Sequence, residues 1–102
     1  MAATEPFTLI ADRQSDVVLE FPARPRIDRR YFPRWIWTSA CGRYRVTAVR
    51  LACRAAITCR AELLTDTPTG NCWEIISEHR LLRRAFAACQ AHAKRLSRRA
   101  GE

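Results

Sequence analysis

Five cysteines (Cys41, Cys53, Cys59, Cys72 and Cys89) and two histidines (His79 and His92) are the side chains here best able to ligate a metal or serve as nucleophile and base. Their spacing argues against both uses. There is no CxxC pair, Cys53 and Cys59 are separated by five residues, and His79 and His92 stand thirteen apart, far from the one-turn spacing that brings two ligands together. Cys89 and His92 can meet on one face of a helix. Cys89, however, falls in an apolar stripe where a thiol is buried and inert, and no acid is placed to orient His92. His79 sits among cations in what reads as a first helical turn, where surface solvation or a local hydrogen bond is the expected role. The internal glycines, Gly42 and Gly70, both fall in turns, so no glycine-rich loop cradles a phosphate. No catalytic residue, metal ligand or cofactor is assigned, and the expectation is a binding protein rather than an enzyme.

The stronger chemical signal is charge. The 102 residues carry a formal net charge of +8, and all but one of the eighteen basic residues are arginine. Arginine forks grip phosphates and carboxylates in bidentate fashion, although a GC-rich genome enriches arginine over lysine without any such demand. The excess of positive charge is independent of that ambiguity. Glu5, Asp12, Asp16 and Glu20 group near the start, whereas Arg24 to Arg60 holds ten arginines against Asp28 alone. A second cluster, Arg80, Arg83, Arg84, Lys94, Arg95, Arg98 and Arg99, fills the C-terminal region.

The elements that must position these charges are legible in part. Phe7 to Ala11 and Asp16 to Phe21 are short apolar runs able to form edge strands. Residues 1–33 are read as an N-terminal segment, ending in an extended basic arm from Pro22 to Pro33 whose prolines bar a regular helix or a central strand. Residues 34–99 are read as the core of a single domain. Arg34 to Ala40 alternates Trp35 and Trp37 with Ile36 and Thr38, and Cys41-Gly42-Arg43 supplies a tight turn. Tyr44 to Leu51 places Tyr44, Val46 and Ala48 on one side and Arg45, Thr47 and Val49 on the other. Ala56 to Leu64 reads as a strand with Thr58, Arg60 and Glu62 outward. The turn-forming run Thr65 to Asn71 then joins it to a strand over Cys72 to Ile76. With Ser77 as N-cap, the pattern predicts a helix from Glu78 to Arg98. Its stripe of Leu82, Ala85, Phe86, Cys89, Ala93 and Leu96 lies on the sheet, and Arg80, Arg83, Arg84, Gln90, Lys94 and Arg98 lie opposite. The fold class is α+β: a three- to four-stranded antiparallel sheet packed against one long C-terminal helix.

Over Arg34 to Arg98 this order of elements resembles the architecture of double-stranded-RNA-binding domains, integrase arm-binding domains and the plant ethylene-response-factor domain. The resemblance is one of architecture, not of motif, and it implies nucleic-acid binding. The residues expected to contact phosphates are Arg24, Arg26, Arg29 and Arg30 of the arm, Arg34, Arg43, Arg45 and Arg60 of the outer sheet face, and Arg83 and Arg84 of the helix. The aromatic rings interleaved with them admit two readings. Exposed rings would stack on bases, at about 1 to 3 kcal/mol each, whereas buried ones would anchor the core beneath the helix. The partner is expected to be DNA or RNA, or alternatively an acidic protein surface met by a small interaction or inhibitor protein of mobile-element or phage accessory type. A homodimer through the helix stripe or a free sheet edge stays open. No apolar run is long enough to span a membrane, and acidic Glu5 and Asp12 stand where a secretory leader would be basic, so a cytoplasmic protein with reduced thiols is expected.

Overall fold

The computed structural model describes residues 17–30, 33–50 and 56–101. Five strands form one antiparallel sheet: β1 (Arg26–Asp28), β2 (Arg34–Thr38), β3 (Tyr44–Arg50), β4 (Ile57–Thr67) and β5 (Gly70–His79). They lie side by side in chain order, and α1 (Leu82–Gly101) packs across β3, β4 and β5. The α+β class and the single long helix match the expectation, but the sheet has five strands where three or four were foreseen. The extra strand comes from the arm. Pro25 cannot donate to a ladder, yet the three residues after it pair with β2, as Arg26 with Ile36, Ile27 with Trp35 and Asp28 with Arg34.

The strands obey their two-residue alternation. Tyr44, Val46 and Ala48 of β3 and Cys59 and Ala61 of β4 turn to the helix and meet Ala85, Cys89 and Ala93, forming the buried core. Trp35, Trp37, Leu63, Ile76, Leu82 and Phe86 close around it, half-buried. The stripe expected on the helix therefore lies on the sheet and is not free for a dimer, except at Leu96, which stays exposed. The edge of β5 away from β4 pairs with no strand among the described residues.

Two boundaries differ from the sequence reading. The stretch read as a long turn, Thr65 to Asn71, is mostly strand: β4 and β5 continue to Thr67 and Gly70, which pair directly and leave Pro68-Thr69 as a two-residue loop. Gly70 takes φ 123°, a conformation that side chains rarely adopt. At the far end β5 runs on through Ser77 and Glu78 to His79, so Ser77 is no helix cap and the helix begins at Leu82. Ser77 instead lies 2.8 Å from His79 Nε2 through its hydroxyl. Cross-strand pairing of Ser77 and Glu78 with Ala61 and Arg60 outweighs their local preference for a helix start. A register shift between Ala61 and Glu62 leaves Ile76 without a direct partner, and this bulge sends Ile76 to the core while Ile75 stays on the other face, half exposed.

The run read as an edge strand from Phe7 to Ala11 lies outside the described residues, as does Asp16. Residues 17–21 form no strand. They are held by a side chain that imitates one: the Gln90 amide accepts from Leu19 N at 2.8 Å through Oε1 and donates to Val17 O through Nε2. Phe21 then stacks edge-on against Phe86 at 4.8 Å, and Trp37 meets the same ring at 5.8 Å. Gln90, expected on the solvent face, thus joins Phe86 in attaching the N-terminal segment to the helix.

Candidate functional site

The sheet face away from the helix carries Arg34, Arg45 and Arg60, and the strand register sets an acid directly across from each. Asp28 opposes Arg34, Glu62 opposes Arg45 and Glu78 opposes Arg60. Every one of these cross-strand pairs closes into an ion pair. Arg34 reaches Asp28 at 3.3 Å, Arg60 reaches Glu78 at 2.9 Å, and Arg45 Nε bonds Glu62 Oε1. The Arg30 backbone N–H, 3.1 Å from Asp28 Oδ1, and the Arg34 guanidinium hold the Asp28 carboxyl below its ordinary range.

The Arg45 pair is the most enclosed. Glu62 is buried, its second oxygen accepts from Thr47 Oγ1 at 3.5 Å, and the Arg45 guanidinium lies 4.3 Å from the centre of the Trp73 ring. These pairs neutralise charge that would otherwise face an outside anion. The aromatic rings divide in the same way. Tyr44 is buried, Trp35 and Trp37 pack on the core beneath the helix, and Trp73, on the opposite face, is covered by Arg45. Of the two readings of these rings, the core one holds for Trp35, Trp37 and Tyr44.

The helix side is built differently. Seven cations and no acid lie between Arg80 and Arg99. Arg80, Arg83, Arg84, Lys94, Arg95, Arg98 and Arg99 are all exposed, and none makes an ion pair with a described residue. At the helix spacing of about 1.5 Å per residue, Arg84 and Lys94 stand roughly 15 Å apart along the axis. Exposed Ala87 and Ala91 are the small residues between them. The first turn holds no acid, so Arg83 and Arg84 face the positive end of the helix dipole uncompensated, while Arg98 and Arg99 suit its negative end. Arg24, Arg26 and Arg29 of the arm and Arg43 of the β2–β3 turn are exposed as well, and Arg30, also exposed, lies 3.6 Å from Asp28. Gly42 lets that turn close with φ 78°, its N–H bonding Ser39 O at 2.9 Å.

Cys89 and His92 form no nucleophile–base pair. Cys89 is fully buried, with its Sγ 3.7 Å from Arg45 O, and burial pushes the thiol up to about 11. His92 turns instead to Tyr44, whose hydroxyl is 2.8 Å from Nδ1. Burial, and then the nearby charges of Arg95 and Arg99, depress the imidazole and favour its neutral form. The sequence separation of 48 residues hid this contact. A buried tyrosine hydroxyl needs a partner, which was the one signal available for it. Cys41 and Cys72 are exposed, Cys59 is buried, and no group of three metal-ligating side chains gathers among the described residues. Among those residues no helix is long and apolar enough to cross a membrane.

No protein-family model, curated protein or solved structure matches this chain.

Proposed function

We propose that the protein binds nucleic acid through phosphate contacts made by the solvent face of α1 and the basic arm, not by the outer face of the sheet. The observation that carries this reading is the unequal fate of the arginines: Arg34, Arg45 and Arg60 on the outer sheet face are matched by acids, whereas those on the helix, like exposed Arg26 and Arg50 at the ends of their strands, pair with no acid among the described residues. Uncompensated cations repel one another in the free protein, and a polyanion relieves that repulsion while releasing its counterions. The roughly 15 Å between the two helix clusters is close to the width of a B-form major groove, about 12 Å. A helix lying across such a groove sets one cluster on each backbone, with the small faces of Ala87 and Ala91 over the gap. Arg83 and Arg84 serve one strand, Lys94 and Arg98 the other, and Arg24, Arg26, Arg29 and Arg30 extend the contact.

Fluorescence anisotropy with short labelled duplex DNA, single-stranded DNA and RNA tests this. Binding to the duplex should be tightest and should fall by about a thousandfold between roughly 50 and 200 mM salt if six phosphates are neutralised. Replacing Arg83, Arg84, Lys94 and Arg98 together by alanine should flatten the salt slope by about one for each contact removed. Arg60→Ala should leave it unchanged. Absence of binding to all three at low salt would defeat the reading and transfer the same face to an acidic protein partner.

A further inference from the structure

Beneath the start of α1 there is a cavity of about 330 Å³ on the helix side of the sheet. Its origin lies in one row of the sheet, where Trp35 pairs with Ala48 and Ala48 with Cys59. Two small side chains follow a large one, and Leu82 of the helix does not fill the space they leave. Trp37 and Ile57 complete the apolar walls. Burial raises the Cys59 thiol, so the interior holds no charge. The one charged residue of the lining is Arg80, exposed and without an acid partner among the described residues.

We propose that this cavity binds a small aromatic carboxylate, its ring between the indoles and Leu82 and its carboxylate on the Arg80 guanidinium. The volume lies at the lower end of small-molecule sites, which run from about 300 Å³ upward, and so suits one or two fused rings. A nucleobase fits the chemistry poorly. Each polar edge buried against these walls without a partner would cost about 1 to 3 kcal/mol, whereas a ring bearing one anion leaves its polar group at Arg80, where a bidentate pair can form. The proposal is independent of nucleic-acid binding.

The test uses the whole ¹⁵N-labelled protein, 2-naphthoate as probe and the uncharged 2-naphthylmethanol as control. Three indole N–H signals report position, because Trp35 and Trp37 line the cavity while Trp73 lies across the sheet beside Arg45. Naphthoate should shift the Trp35 and Trp37 signals saturably at submillimolar concentration and leave Trp73 in place. The alcohol should bind about tenfold more weakly, roughly 1.4 kcal/mol. Arg80→Gln, at an exposed position, should remove that difference without unfolding the protein. No saturable shift would mean that the cavity is closed to ligands. That result, equal movement of all three indoles, or a carboxylate preference that survives Arg80→Gln would each overturn the proposal.

Discussion

The outer face of the sheet and the solvent face of the helix are both rich in arginine, and they use it in opposite ways. On the sheet, strand register fixes an acid opposite Arg34, Arg45 and Arg60, and each guanidinium is engaged. On the helix, positions one turn apart carry like charge, with no acid from Arg80 to Arg99. Like charges at that spacing disfavour the helix by a few tenths of a kcal/mol per pair. Arginine content alone therefore says little about binding. What separates a structural arginine from an available one is whether the neighbouring strand or turn supplies a carboxylate.

The contrast is broken most forcefully at Arg45. Arg45→Ala leaves Glu62 buried and uncompensated, and should cost about 3 to 5 kcal/mol, seen as a lower urea midpoint. Replacing Arg45 and Glu62 together by methionine and leucine should recover most of that loss, since an apolar pair removes the desolvation problem along with the attraction.

A smaller effect is expected at the Tyr44–His92 contact. Tyr44→Phe should cost about 0.5 to 1.5 kcal/mol. Because the folded state lowers the imidazole below its ordinary 6.5, the unfolded chain takes up the proton first as pH falls. The stabilisation from neutral His92 is thus complete above that value and is lost progressively beneath it. Urea midpoints measured from pH 8 to pH 5 should decline more steeply in the parent protein than in His92→Gln.

The first helical turn sharpens the comparison in the other direction. Arg83→Ala or Arg84→Ala removes a cation from the positive end of the dipole and should raise stability by about 0.3 to 1 kcal/mol in thermal or urea unfolding, while weakening duplex binding. A gain in stability coupled to a loss of affinity marks a residue retained for its partner and not for the fold. Arg60→Ala, which breaks a partly exposed pair, should do the least, about 0.2 to 1 kcal/mol, with binding unaffected.

Much of the fold was readable because alternation is local. The inward sets Tyr44, Val46, Ala48 and Cys59, Ala61, Leu63 follow from period two, and the helix stripe from its three-and-four spacing. The boundary of the helix was not readable, because Ser77 and Glu78 look like a cap and first turn until their pairing with Ala61 and Arg60 is known. Nor was the fifth strand, since its three residues carry no periodic signal and depend on β2 for their pairing. The candidate site divides along the same line. Exposure of Arg83 and Arg84 follows from the helix pattern, but neutralisation of Arg34, Arg45 and Arg60 depends on which acids lie across the sheet, a fact of register.

The succession of strands also bears on how the chain reaches this structure. Each strand pairs with the one made just before it, so the sheet can assemble by a series of short loop closures, a topology associated with rapid folding. The helix comes after the five described strands, and until it docks the surface bearing Val46 and Ala61 lacks its cover, in a sheet whose β5 edge pairs with no strand among the described residues. A chain interrupted before Leu82 would hold that sticky intermediate permanently, and its expected fate is aggregation, not a smaller working domain.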